Sequence, residues 1–397
     1  MSRLDPFPVG ASITLADLEN DIHPILHRLR AVEPVSWLPA LNAWLVTRRD
    51  LAVEVMRKPA LFTVDHPGFS TAQVVGPGML SLDGGEHLRH RGPFEAPFRQ
   101  GAVQSRFSGV VAAHVAELLD GLAARGRAEL RREFAGPLAV KTMITALGLD
   151  DTDASVAAVL GWYDAIVDAV TRVTAGEPVS QAGRTAFAAL KDSLLPALKR
   201  PPETSLLAAV ASGAGGLSDD QIVSNAAVLL FGGIETTEGM IANALYFLLT
   251  QPDILNRVSR NSSLLPAVIE ESLRLEPAAA VVDRYAVQDV RLGQAQIEVG
   301  ELVQVSLAAA NRDPAVFANP DTFDPFRPNL RSHVTFAQGP HVCLGLHLAR
   351  LEAHVALAQL LARLPALQLE LPEAVPPRGL VFRKPPALRV SWLVCEA

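Results

Sequence analysis

The stretch from Asp219 to Thr250, "DDQIVSNAAVLLFGGIETTEGMIANALYFLLT", constrains the fold more than any other. Its apolar pattern runs unbroken until "QPD" stops it, a length of about 32 residues or ~48 Å of α-helix. Ser218 and Gln221 fit a capping box at its start, and Asp219 and Asp220 favour the positive end of the helix. The helix is apolar on nearly every face, so it must run through the middle of the protein. Gly232 and Gly233 interrupt it, and each destabilises a helix interior by about 1 kcal/mol relative to alanine. Something at that point must compensate.

The remainder supplies the surroundings such a helix needs. The chain has 397 residues, 49% hydrophobic and 19% charged, enough for a large core. Residues 15–30 read as one amphipathic helix, and residues 34–50, with Trp37 and Trp44, alternate as a small hairpin. Residues 65–83 are rich in Gly and Pro and read as a long loop. Helical patterns return over 86–198, with breaks near "GLDDTDAS" and "AGEPVS". "RPPETS" and "ASGAGG" then lead to the long helix. A further helix is expected over 266–275, short strands and turns over 284–314, and a last helix over 344–364 ended by Pro365. The expected fold is mainly α with a small β part.

The net charge of −7 argues against a nucleic-acid partner. No signal-like N-terminus and no uncharged apolar run of membrane-spanning length is evident, so the expectation is a cytoplasmic protein with no membrane segment. Cys343 and Cys395 are the two cysteines, a poor disulfide framework.

Cys343 stands in "TFAQGPHVCLG", just before the last helix. Backbone N–H groups and the positive helix end there favour a thiolate. Gly339 and Gly345 flank it without side chains, which lets something large and flat lie against the backbone. Four readings compete for this residue. A lone buried cysteine is commonly structural. His341 could serve it as a base. His341, Cys343 and His347 could bind zinc, although H-x-C-x3-H is an unfamiliar spacing with only three ligands. The sulfur could also be an axial haem ligand.

Phe336, Gly339, His341, Cys343 and Gly345 together match F-x-x-G-x-H-x-C-x-G, and here the chain resembles the soluble bacterial cytochromes P450. Four further stretches match in order: "EHLRHR", "GGIETT", "EESLR" and "AANRDPAVFANPDTFDPFR". The resemblance covers most of the chain from about residue 35 onward. It implies a cytochrome P450 fold over 1–397 as one domain without a fused reductase, the long helix lying over haem b.

The resemblance also implies roles. Cys343 would be the metal ligand, with Phe336 and Gly345 in its loop. His87, Arg91, Arg284 and His341 would bind the haem propionates. Glu235 and Thr236 would deliver protons, and Gly232 and Gly233 would open room for dioxygen. Glu271 and Arg274 would form a structural ion pair. The arginine often found at Thr322 to complete it is missing, and Arg327 is the available substitute. Gln338, near the sulfur, could tune it. Val228, Phe231, Gly232, Ala279, Ala280 and Val281 would line an apolar substrate pocket, closed by the 65–82 loop and a turn near Pro385–Pro386. The helices before residue 200 would form a lid. The implied activity is a monooxygenase using dioxygen and electrons from NAD(P)H through a separate ferredoxin and reductase, acting on a hydrophobic small molecule such as a secondary metabolite. Hydroxylation, coupling, ring closure and desaturation stay open, as do a non-catalytic haem sensor and a peroxide-driven oxygenase.

Overall fold

The computed structural model describes residues 6–149, 155–174, 176–202, 205–211, 216–371 and 374–394. Cys395 lies outside them, as do much of the breaks at "GLDDTDAS" and "ASGAGG" and two residues of "RPPETS". The architecture is mainly helical with small sheets.

The central helix spans Asp219–Leu249 and starts as the sequence dictates. Gln221 N–H donates to Ser218 Oγ at 3.3 Å, and Gln221 Oε1 accepts the Ser218 N–H at 3.0 Å. Most of its residues are buried on all faces. It packs against Gly136–Leu147, Leu265–Leu275 and Leu346–Arg363. The two glycines part company in this packing. A Cβ on Gly233 would stand 2.5 Å from Met143 Sδ, so this glycine admits the neighbouring helix. A Cβ on Gly232 would meet nothing within 4 Å, and Gly232 is exposed within a buried helix. Only Gly232 opens space, whereas both were expected to.

The hairpin pairs Val35–Leu38 with Ala43–Val46, setting Trp37 opposite Trp44. Five strands follow in the order Val35–Leu38, Ala43–Val46, Leu302–Ser306, Val281–Ala286 and Phe62–Thr63. Pairing of Ala43–Val46 with Leu302–Ser306 is parallel; the remaining pairs are antiparallel.

Two expectations change. Residues 15–30 form two helices, Leu15–Glu19 and His23–Val32. The first ends at Asn20, whose ψ of −112° leaves the helical region, and Pro24 sits in the first turn of the second. The expected loop at 65–83 contains a short helix, Ser70–Val75, ended by Gly76 at φ +82°. Val74 and Val75 bury its inner side, a pattern too short to read as periodic.

Helices Val156–Thr174 and Gln181–Lys199 pair closely, since a Cβ on Gly183 would collide with the Ala169 methyl. Residues Gln100–Arg125 are long and apolar enough to cross a bilayer by length and composition. Here Val103, Phe107, Val111, Val115 and Leu119 of that stretch are buried in the main core.

Candidate functional site

Cys343 lies three residues before the last helix, Leu346–Arg363. Its own N–H donates to the Phe336 carbonyl at 2.8 Å, closing the loop into a narrow turn. Gly339 within the turn has φ +77°, and a Cβ there would strike the Met56 carbonyl oxygen at 2.4 Å. Ala337 also sits at positive φ, +60°, a conformation costly for any residue with a Cβ. Residues 336–347 all keep partial exposure, while 333–335 and Leu348 beside them are buried. Cys343 is half-buried within this partly exposed loop. Burial pushes its thiol up. Backbone N–H groups of Gly345 and Leu346 and the charges of Arg91 and Arg350 act the other way, favouring the thiolate.

Two rival readings of Cys343, the base and the zinc site, lose their geometry. His341 turns Nε2 toward Asp83 Oδ1 at 2.8 Å. No group of three His, Cys, Asp or Glu side chains suited to a metal ion occurs among the described residues. Gln338 accepts from Arg57 Nη2 at 2.7 Å, so its side chain serves the loop's outer anchor.

A cluster of nitrogen-bearing side chains gathers around Asp83. The His87 and His341 rings are 4.3 Å apart. His87 Nε2 is buried without a hydrogen-bond partner. Burial, then the charges of His341 and Arg91, push His87 down to about 4. Arg284 is buried and bonds its neighbour's carbonyl, Asp283 O, at 2.7 Å. Burial lowers its pKa, opposed by Asp83 and Asp283. Arg91 donates to Val342 O at 2.7 Å and pairs with Glu95 at 3.3 Å, tying Gly84–Glu95 to the cysteine loop. Asp83 accepts from His341, Thr63 Oγ1 and the Val64 N–H. Burial raises its pKa, but these bonds outweigh it and hold the carboxyl at about 2. Asp83 escaped the sequence reading, which stopped at the basic residues.

On the central helix, Thr236 Oγ1 donates to Gly232 O at 2.5 Å. The bond spends its one proton and leaves its lone pairs to accept. Glu235 is buried between Lys384, whose Nζ is 2.7 Å from Oε1, and Tyr163, whose hydroxyl donates to Oε2. Lys384 also reaches Glu238, which Arg131 holds at 2.6 Å. Neither Tyr163 nor Lys384 was legible, because each comes from a segment far away in sequence.

Val228 and Phe231 are half-buried beside Gly232. The Phe231 ring lies 6.0 Å from Tyr163 and 6.1 Å from Phe382. Ala279, half-exposed, bridges to Phe382. Val281 is nearly covered. Ala280 is fully buried in the cluster of Val9, Ile13 and Leu18, since strand alternation turns it away from its neighbours' side. It is therefore no pocket residue. The expected closing turn at Pro385–Pro386 lies further on, with Pro386 O bonded to Arg131. Phe382 is the aromatic contact of this segment.

Glu271 and Arg274 form a fully buried pair, joined at 2.7 and 2.8 Å. Arg327 Nε stands 3.0 Å from both Glu271 oxygens. Thr322 contributes only its carbonyl, which accepts from Arg274 and Arg327. Arg327 thus takes the third place in this ion-pair set.

Comparison with known proteins decides the family. A family model described as cytochrome P450 matches residues 198–388. Cytochrome P450 107B1 of Saccharopolyspora erythraea is 33% identical, covering 88% of this chain and 89% of that protein. The chain belongs to the cytochrome P450 family. Mycinamicin IV hydroxylase/epoxidase of Micromonospora griseorubida is 34% identical over 94% of this P450 and 97% of the relative. The crystal structure of CalO2 superposes with a TM-score of 0.86 at 29% identity, covering 96% and 98% of the two chains. This P450 is accordingly a monooxygenase of the oxidoreductase class. Its family implies haem, dioxygen and a supply of reducing electrons.

Proposed function

We propose that this P450 oxidises a hydrophobic natural product of some size, with Cys343 holding the haem. The observation that carries the proposal is the cysteine loop itself: a half-buried cysteine in a tight glycine-bearing turn, its sulfur served by two backbone N–H groups. The surroundings fit such a group. An orphaned His87 Nε2 and the buried Arg284, with His341 and Arg91 close by, suit two propionates. Gly345 presents bare backbone beside the sulfur, its nearest Cβ neighbour the Phe98 ring at 4.0 Å.

Bound there, haem supplies dioxygen activation and insertion of one oxygen atom, using two electrons from outside. The protein's residues supply the rest. The N–H groups of Gly345 and Leu346 hold charge on the sulfur. Gly232 keeps the helix clear of side chain where Thr236 offers its lone pairs. Glu235 lies behind it as a carboxylate that can take up and pass on a proton, positioned by Lys384 and Tyr163. Val228, Phe231, Phe382 and Ala279 exclude water and orient an apolar substrate.

The Micromonospora relative is named for acting on mycinamicin IV, and the apolar walls here support a hydrophobic substrate of some size. We assign its electron supply to a separate ferredoxin and reductase fed by NAD(P)H. We place the protein in the cytoplasm with these partners. The intact Glu235–Thr236 pair favours this over a sensor or a peroxide-driven enzyme.

The test is turnover of compounds that shift the Soret band on binding. Product formed with NAD(P)H, ferredoxin and reductase supports the reading. Product formed with peroxide alone, or by neither route, overturns it.

A further inference from the structure

Glu270, next to the buried Glu271, belongs to a second charge network that none of the roles above uses. Arg350 Nε and Nη2 reach its two carboxylate oxygens at 2.5 and 2.9 Å. His333 Nε2 lies 3.0 Å from Oε2. Glu270 sits on Leu265–Leu275, Arg350 on the second turn of Leu346–Arg363, and His333 at the entrance to the cysteine loop. One carboxylate therefore joins three segments around Cys343.

The network ends on an aromatic ring. The Arg350 guanidinium carbon stands 4.5 Å from the centre of Phe336, within cation–π range. The His333 ring is 6.2 Å from the same ring. Phe336 in turn accepts the Cys343 N–H through its carbonyl. A continuous path of contacts thus leads from Glu270 through Arg350 and Phe336 to the residue that bears the sulfur. Glu270 is mostly buried and Arg350 only partly exposed, so water screens their charges less than it would a surface pair.

We propose that Arg350 and Glu270 are positioning residues that set the electron donation of the Cys343 sulfur: the guanidinium over Phe336 withdraws charge from the sulfur's surroundings, and the carboxylate limits that withdrawal. A cation near the sulfur makes an added electron on the bound iron less costly; an anion does the reverse. The inference rests on Cys343 as the haem ligand.

The experiment is a ferric/ferrous midpoint titration of holoprotein with dithionite, recording the reduced carbonyl spectrum of each sample. Arg350→Gln lowers the potential. Glu270→Gln leaves Arg350 uncompensated and raises it. Arg350→Lys keeps the charge while losing the forked contact, and returns the potential toward wild type. Shifts of opposite sign with this rescue support the inference. Unmoved potentials, or shifts in one direction for both neutral variants, overturn it. Should Arg350→Gln fail to take up haem, Glu270→Gln and Arg350→Lys still decide: no rise in the first, or a potential in the second moved as far from wild type as in the first, overturns the inference. A thiolate-type Soret band with unmoved potentials overturns the tuning alone. Absence of that band in wild type overturns the ligation beneath it.

Discussion

Lys384 Nζ lies 2.7 Å from Glu235 Oε1 and 2.8 Å from Glu238 Oε2, so one cation from the chain's last segment fixes two carboxylates of the central helix. All three side chains are largely buried. With Tyr163 on the other oxygen, Glu235 is held from two sides near Thr236. Positioned acid–base groups contribute about 10²–10⁴ to rate. Glu235→Gln is expected to lower product formation about 10²-fold while the substrate-induced Soret shift stays. A loss of the binding shift with unchanged turnover per bound substrate would contradict a proton role.

The same cation is structural. Lys384→Met leaves Glu235 and Glu238 with Arg131 as the remaining cation on Glu238. Breaking such a buried pair costs about 3–5 kcal/mol. Denaturant titration should show that loss, and a stability equal to wild type would contradict the buried network.

Phe382 meets Phe231 at 6.1 Å, and Phe231 meets Tyr163 at 6.0 Å. Three elements thus meet in apolar contact beside Gly232. Phe382→Ala removes the C-terminal segment's contribution; Phe382 is half-buried, and burying a Phe side chain is worth about 1.5–3 kcal/mol. Hydrophobic ligands that shift the Soret band should bind at least about tenfold more weakly, since each 1.4 kcal/mol is tenfold. Unchanged affinity would place Phe382 outside the pocket.

Arg327 and Thr322 separate side-chain from backbone roles. Arg327→Ala leaves the buried Glu271 with one cation, Arg274, and is expected to cost about 3–5 kcal/mol. Thr322→Ala keeps the carbonyl that Arg274 and Arg327 use, and should stay within about 0.5 kcal/mol of wild type. Equal losses in thermal or urea unfolding would contradict this division.

Glu352 predicts a pH signature. It is 2% exposed, and burial holds its carboxyl well above the usual range. The unfolded chain loses this proton near pH 4, whereas the folded chain keeps it. Stability from this group is therefore full below the unfolded pKa and falls as pH rises toward the folded one. Glu352→Gln removes the slope, so its Tm advantage should grow from pH 5 to pH 8. An advantage that shrinks over that range would contradict a buried, protonated Glu352.

Much of this was legible because the decisive signals are local. A capping box and an unbroken apolar run locate the central helix, and F-x-x-G-x-H-x-C-x-G locates the cysteine loop. Trp37 and Trp44 alternate in one hairpin and face each other across it. What escaped is non-local. Tyr163, Phe382 and Lys384 reach the site from segments whose own sequences carry no sign of their target. Asp83 looked like an ordinary residue ahead of a helix until His341 and Thr63 closed on it. Ala280 went astray by strand parity, one residue from a half-exposed neighbour. The different duties of Gly232 and Gly233 depend on Met143, which adjacency in sequence cannot supply.

The central claim is the bond from the Cys343 sulfur to haem iron. Its most direct measurement is the absorption spectrum of the dithionite-reduced carbonyl complex, wild type beside Cys343→Ser. The account predicts a long-wavelength, thiolate-type Soret band in wild type and its loss in Cys343→Ser. A wild-type complex without that band, or a serine variant that retains it, would contradict the account.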